Sequence, residues 1–416
     1  YMPDNNSKKN ISYSFDHQLW QQADWTKYEI KYRPDLWWNS FDGLKIGFNI
    51  KGGYLNHHHL FDGSILLNTG VLQQKDGLNL LENSEDYDLY SYKFNYNTNI
   101  DEISLNSRVN FNSKFIAGLY TNSLTFSKKS HKKNYTLAIN FLSLYRKKAN
   151  NYLLYPDLWD INKLNNRIDL SLNKNYKYKD GKGILAIKIQ SSSLGSDYNY
   201  QKFSLTNINK TNLNKFKLSS RVFLQIGTGD NWAKESRLHL AGANNEELMY
   251  NKYTRARGYI PQDYLGFGNT TNHYHAGGGL NLRGYSGYLV PSENNNNNID
   301  ALNYQGISGG AINLELEFTN YLPKFIKKTN IKPYVFADAG TITNEKITTD
   351  NIKDAFIDIR SDAGIGFTYS IRNFNPLETI KALTLRFDMP LFLNTIPNSD
   401  DQYIKMRWLI GINKAF

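Results

Sequence analysis

Residues 381–391 run Lys381-Ala382-Leu383-Thr384-Leu385-Arg386-Phe387-Asp388-Met389-Pro390-Leu391. Successive side chains of a β-strand point to opposite faces, so every second residue shares a side. Leu383, Leu385, Phe387, Met389 and Leu391 then line one face, and Thr384, Arg386 and Asp388 line the other. The alternation recurs in 311–319, where Ile312, Leu314, Leu316 and Phe318 oppose Asn313, Glu315, Glu317 and Thr319. It recurs in 363–371, with Ile365, Phe367, Tyr369 and Ile371 against Gly364, Gly366, Thr368 and Ser370. In 216–226, Phe216, Leu218, Val222, Leu224 and Ile226 oppose Lys217, Arg221 and Gln225. A period of two over such lengths is a strand signal.

A soluble sandwich alternates as well. Two features favour a barrel in a membrane. The segments are long, about 9–12 residues, as a tilted span requires. Their polar faces carry Gly, Ser, Asn, Arg and Glu, which suits a wet lumen. About 16 such segments follow one another, near 27–33, 43–54, 64–72, 87–97, 102–112, 114–126, 134–146, 166–174, 182–191, 198–208, 215–227, 309–320, 331–340, 363–371, 380–391 and 403–416. The expected fold is therefore all-β: an antiparallel transmembrane β-barrel of about 16 strands. Residues 1–26 form a periplasmic lead-in and 27–416 the barrel. An even strand number puts both termini in the periplasm. Connections after odd strands are then the longer outer ones, as at 73–86, 147–165, 341–362 and above all 228–308. The tight connection at 112–114 breaks that rule. The segment 228–308, between strands 11 and 12, is expected to fold into the lumen. Long loops in compact proteins are usually functional or disordered. Its tail, Pro291 through Asp300 with Asn294 to Asn298 in a row, reads as a surface excursion, whereas Gly277, Gly278 and Gly279 before Arg283 read as ordered.

Composition agrees. Aromatic residues reach 14% while all hydrophobic residues reach only 40%, and 30 Tyr with 22 Phe dominate. Aromatics at this density suit the girdles of a membrane barrel better than a soluble core. No run of about 18 apolar residues occurs, so no transmembrane helix is expected. There is no cysteine, which excludes disulfides and thiolate metal sites. The formal net charge of +11 comes from scattered Lys, which form no stripe for nucleic acid. The chain opens at Tyr1 rather than Met, and a signal peptide, or a whole domain, is expected upstream.

Leu282-Arg283-Gly284-Tyr285 is the most informative motif. Glu317 faces the inferred lumen on one strand. Asp338 lies on the next, within Phe336-Ala337-Asp338-Ala339-Gly340. A loop folding into the lumen can bring Arg283 to these acids, and guanidinium–carboxylate pairs in a confined space are strong and often bidentate. Gly284 permits close approach of the backbone to the wall, and Tyr285 is expected to pack on strand glycines such as Gly364 and Gly366. On these residues the chain resembles the C-terminal barrel of the BamA/TamA/two-partner-secretion transporter superfamily, which implies a 16-stranded barrel whose sixth outer loop carries an Arg-Gly-aromatic motif against the inner wall. Tyr334 to Gly340 resembles the family's next signature strand, and Asp362-Ala363-Gly364-Ile365-Gly366-Phe367 the one after it. Asn39-Ser40-Phe41-Asp42-Gly43-Leu44 resembles an early-barrel pattern of bacteroidete members. The family's transport members carry POTRA domains before the barrel, and none is visible here.

On the last strand Met406, Trp408, Ile410, Ile412 and Phe416 alternate with Arg407, Gly411, Asn413 and Ala415. Trp408, Ile410, Ile412 and the terminal Phe416 resemble the signal by which outer-membrane barrels are recognised for insertion. Other patterns carry less. Gly306-Ile307-Ser308-Gly309-Gly310 has nucleophile-elbow spacing but leads into a strand. His57, His58 and His59, like His273 and His275, have no Cys or well-placed acid to complete a metal site. No His-Glu-x-x-His occurs, so no zinc-peptidase site is expected. No catalytic residue, metal or cofactor is implied. The resemblance implies protein insertion or translocation at a Gram-negative outer membrane, by lateral opening between the first and last strands or through the lumen, with the short Trp25–Arg33 strand as a weak seam. Its partners would be outer-membrane lipid, client proteins or accessory outer-membrane subunits, and no nucleic acid. The alternatives are a membrane anchor for a longer protein with a periplasmic domain, a peptidase among the options, and a passive channel.

Overall fold

The computed structural model describes residues 10–17, 24, 26–39, 41–55, 58–73, 87–148, 159–250, 273–288, 305–323, 329–347, 358–371, 383–396, 402–413 and 415–416. His57, Trp25 and the Asn294–Asn298 run, all named above, lie outside the described residues. The strands are β1 (Asn10–Phe15), β2 (Lys27–Asn39), β3 (Gly43–Tyr54), β4 (His58–Asn68), β5 (Tyr90–Asn99), β6 (Ser107–Ile116), β7 (Leu119–Ser130), β8 (Tyr135–Arg146), β9 (Leu164–Tyr178), β10 (Gly181–Ser192), β11 (Asn199–Leu213), β12 (Phe216–Asn231), β13 (Leu238–His239), β14 (Gln305–Gly306), β15 (Ser308–Glu317), β16 (Ile331–Thr343), β17 (Arg360–Ile371), β18 (Leu383–Leu393) and β19 (Leu409–Ile412). Seventeen of them form one large sheet, and β13 and β14 make a separate pair. The fold is all-β and barrel-like. Each strand from β2 onward pairs antiparallel with the next, β12 passing to β15 across the long connection. Among the described strands only β1 pairs in parallel, lying beside β2.

Every segment read as a strand overlaps one of β2–β12 or β15–β19, but the details moved. A strand, β1, lies inside the stretch assigned to a lead-in. The first antiparallel strand is not short: it runs 13 residues, Lys27–Asn39. The 112–114 problem resolves as a shifted hairpin. β6 and β7 meet at Ala117 and Gly118, with φ of 53° and 71°, the signature of a tight two-residue turn with both centres left-handed. In β18 the apolar face does not extend to Leu391. The register against β17 slips between Ala363 and Gly364, so Phe392 becomes exposed and Leu393 buried, as a bulge requires. The last strand is much shorter than 403–416. Asn413 adopts φ 72° and ends it after Ile412.

The two faces of the sheet are the reverse of a soluble protein. On β3, Ile46, Phe48 and Ile50 are 48%, 45% and 37% exposed, while Lys45 and Asn49 on the opposite face are each 3% exposed. Leu314 and Ile312 are exposed where Asn313 is fully buried. Leu385 is exposed where Arg386 and Asp388 are buried. Burying ions while exposing aliphatics is unfavourable in water and is favourable where lipid covers the apolar face. Leu385→Arg and Leu316→Arg are therefore expected to cost about 2–4 kcal/mol each at mid-strand, read as lost heat-modifiability in detergent. Wild-type heat resistance of both variants would refute the assigned faces.

Candidate functional site: a loop seated on the polar face

The described parts of the connection from β12 to β15 are the short 305–307 stretch that carries β14 and two limbs, 232–250 and 273–288. Between them they pack a small apolar core with the wall: Leu238, Leu240, Leu280, Leu282 and Tyr285 of the loop against Phe223, Ala311, Ile342 and Leu393 of the strands. The limbs also pair with each other. The amides of Leu280 and Leu282 donate to the carbonyls of His239 and Leu240 at 3.0 and 3.1 Å. Gly279 is obligatory here. It adopts φ 49°, and a Cβ would stand 2.5 Å from the carbonyl oxygens of Gly242 and His239, a left-handed close approach that only glycine makes cheaply.

Four residues on, a 3-10 turn at Arg283–Tyr288 presents Arg283, which is fully buried. Its Nε and Nη2 donate to the two oxygens of Asp338 at 2.8 and 3.0 Å, and its Nη1 donates to Glu315 Oε1 at 2.7 Å. Asp388 Oδ1 stands 3.7 Å from Nη1. The guanidinium also lies 3.9 Å above the Phe336 ring, a cation–π seat. Burial opposes the charge, but Asp338, Glu315 and Asp388 outweigh it and hold the Arg283 pKa above its ordinary value. The acids are braced in turn. Asn313 Nδ2 donates to Asp338 Oδ1 at 3.1 Å and to the carbonyls of Leu280 and Asn281. Arg221 bonds Asn313 Oδ1 and the Gly279 carbonyl.

Glu317 is not part of this cluster. It lies 3.6 Å from Lys217 Nζ and accepts from Thr319, and Glu315 stands where Glu317 was expected. Both share the polar parity of β15, and parity alone does not set depth along a strand. Gly284 approaches the wall closely: a Cβ there would meet Leu393 at 2.4 Å and the Asp362 side chain at 2.6 Å. Tyr285 does not pack on Gly364 or Gly366. Phe336 and Tyr334 cover those glycines, and Tyr285 is buried with its hydroxyl donating to Asn394 Oδ1 at 3.0 Å.

A second contact, of opposite polarity, was not found from sequence. On the 232–250 limb a short helix, α1 (Asn245–Tyr250), begins in a reciprocal cap. The Glu247 amide donates to Asn244 Oδ1 at 2.9 Å, and the Asn244 amide to Glu247 Oε2 at 2.8 Å, a capping box. The cap sets Glu246 against Arg167 of β9, whose Nη1 and Nη2 reach its two oxygens at 2.5 Å each. Arg167 also holds Asp169 at 2.9 Å, and Ser236 donates to Glu246 at 3.0 Å. Burial pushes the Glu246 carboxyl up, but Arg167 pulls it further down, to about 2. A depressed carboxyl stabilises above its unfolded pKa and loses that contribution as pH falls through the folded value. The 232–250 limb is thus expected to loosen between about pH 4.5 and pH 2, with wild type losing ~3 kcal/mol over that window. Protease accessibility against pH would show it, and an unchanged profile in Glu246→Gln would exclude the assignment.

The histidines take ordinary roles. His59 Nδ1 lies 2.7 Å from the Tyr96 hydroxyl, His273 stacks on Trp408, and His275 sits between the Ala241 carbonyl and Arg386. Ser308 is fully buried at the start of β15, where it accepts from the Gly227 amide at 2.9 Å, so the nucleophile-elbow spacing is a strand entry. Around β19, Trp408, Ile410, Ile412 and Phe416 are half-buried, while Arg407, Leu409, Gly411 and Ala415 are buried.

No family model matches the chain, and no curated protein matches it. Its likeness to solved structures is distant. BamA from Haemophilus ducreyi lacking POTRA domains 1–3 is 14% identical over 93% of this chain and 70% of that one, with a TM-score of 0.45. A BenF-like porin from Pseudomonas fluorescens Pf-5 is 9% identical over 92% and 85%, with a TM-score of 0.42. The outer membrane protein OpdK of Pseudomonas aeruginosa is 7% identical over 85% and 76%, with a TM-score of 0.40. Likeness at this level says nothing of what the chain does.

Proposed function

We propose that this chain is a closed transmembrane β-barrel of a Gram-negative outer membrane, with both termini periplasmic, that helps insert or translocate proteins. Outer-membrane lipid covers its apolar face, and client proteins or accessory subunits are its partners. No covalent step and no cofactor is invoked. The observation that carries this reading is the loop seat. A polar face able to line a pore is instead occupied by two limbs of the 232–307 connection, tied to β9 through Glu246 and to β15–β16 through Arg283. Passage through an open lumen and a loop fixed there exclude each other, so the work is assigned to the wall or to a state with the loop displaced. The Arg283–Tyr285 contact, in this view, is a clasp that sets the closed state, and Trp408, Ile410, Ile412 and Phe416 form the insertion signal.

A passive channel is the second reading, favoured by the buried polar row of Lys45, Lys202, Arg221 and Arg386, which would attract anions if the loop were absent. Purified full-length protein in planar bilayers separates the two. A loop seated in the lumen gives closed traces with rare openings, and steady conductance of the wild type supports the channel. In cells, depletion of the protein should lower the levels of other outer-membrane barrels, and unchanged levels would remove the assembly role.

A further inference from the structure

Each edge of a strand holds one ladder, because its amide and carbonyl groups point alternately to the two sides. One edge of β2 pairs with β3 from Glu29 to Asn39. The other is occupied from Lys27 to Tyr32 by β1, in parallel register. At the far end of the sheet, one edge of β19 pairs with β18. On the other edge the Ile410 amide donates to the His273 carbonyl at 2.7 Å, and the Ile410 carbonyl accepts from the His275 amide at 2.8 Å. Tyr274 thereby bridges Ile410, again in parallel. The His273 ring stacks on Trp408 at 3.7 Å with a 2° tilt. Further along, a Cβ on Gly277 would stand 2.2 Å from the Ala415 carbonyl, so the loop follows the chain's last residues.

β1 also has the two faces of a wall strand. Ile11, Tyr13 and Phe15 are exposed on the side of Tyr32 and Phe48, and the Phe15, Tyr32 and Phe48 rings form a row spaced 6.2 Å apart. Just past its end, Asp16 is buried 2.7 Å from Lys51 Nζ and 3.5 Å from Arg33 Nε.

Resting on the closed barrel proposed above, we infer that the seam between the first and last antiparallel strands is held by two segments of this chain, β1 on β2 and His273–His275 on β19, with no direct ladder between β2 and β19 among the described residues. Each segment is short and parallel, and parallel pairing is slightly weaker per residue. Each can therefore leave without disturbing an antiparallel ladder, which makes the seam a latch. The loop half of the latch is tethered to the Arg283 seat, so movement of the loop and opening of the seam are coupled.

The chain has no cysteine, so introduced pairs report without background. Three full-length double variants are oxidised in intact outer membranes and read by mobility on non-reducing gels: Tyr13→Cys with Ile30→Cys, Tyr274→Cys with Ile410→Cys, and Ile30→Cys with Ile410→Cys. Disulfides need Cα atoms within about 4.4–6.8 Å. The first two pairs are expected to crosslink in most molecules and the third in few. Ready crosslinking of the third pair, or failure of either of the first two in heat-modifiable protein, overturns the inference. Should the first variant not fold, Ser12→Cys with Glu29→Cys reads the same register from the polar side, under the same criterion.

Discussion

Replacing Arg283 by alanine is expected to loosen the 273–288 limb, without freeing it, while leaving the sheet assembled. The substitution removes one positive charge and its five N–H donors from a site where Asp338 is 1% exposed and Glu315 is half-buried. Breaking a buried ion pair from one side typically costs 3–5 kcal/mol, because the remaining charge has no partner. That cost falls on the docked state of the loop, since undocking lets water reach the acids. The ladders from β12 to β15 and from β15 to β16 are made by backbone groups and do not depend on Arg283. Limited proteolysis should therefore cut the variant within the 232–307 connection under conditions that spare the wild type, with heat-modifiability unchanged. Arg283→Lys keeps the charge but loses the two-pronged fit to Asp338 and the ring stacking, and should be intermediate. Replacing both partners, Arg283→Met with Asp338→Leu, should recover part of the loss, as apolar replacement of a buried pair often does. A protease pattern identical to wild type in Arg283→Ala would remove the clasp.

The sequence made some of this legible and hid the rest for identifiable reasons. Alternation such as Leu314-Glu315-Leu316 was readable because lipid on one side and polar contacts on the other reward opposite chemistries at neighbouring residues. Arg283 stood out because it follows a glycine run that only a backbone-critical segment would carry, and Gly279 shows the need in its φ of 49°. The choice between Glu315 and Glu317 was not readable, because it depends on register. Asn313 stands opposite Asp338, and Glu315 one step further along the same face, opposite Phe336. Glu317, two residues further on, pairs with Lys217 instead. β1 escaped notice because six residues with a parallel partner give too short a pattern. The Glu246–Arg167 pair had signals at both ends, a capping box around Asn244 and an Arg on the polar parity of β9, but nothing in a single sequence links residues 79 apart. Asn413 and the slip at Ala363/Gly364 are local backbone events that hydrophobic periodicity does not encode.

Arg283→Ala and Glu246→Ala, each alone, should change conductance little, whereas the double variant should open a steady pore. The two limbs hold each other through the Leu280–His239 and Leu282–Leu240 hydrogen bonds and through the shared apolar core around Leu238 and Leu282. With Arg283 lost, Glu246 on Arg167 and the neighbouring Asn165–Glu235 bond at 2.7 Å still tie the 232–250 limb to β9, and the other limb stays partly docked through it. With Glu246 lost, the Arg283 fork still holds the 273–288 limb on β15 and β16. Contacts that act in parallel on one moving body are not additive when removed: the body leaves only after both fail, and each contact is worth roughly 3–5 kcal/mol when broken from one side. Single-channel recordings of the wild type, the two single variants and the double variant form a complete cycle. The expected result is a large, stable conductance in the double variant alone, together with protease cutting on both limbs. A double variant that conducts no more than the more open of the two singles would mean that the limbs are held by something other than these two ion pairs, and that the loop is not the element closing the lumen.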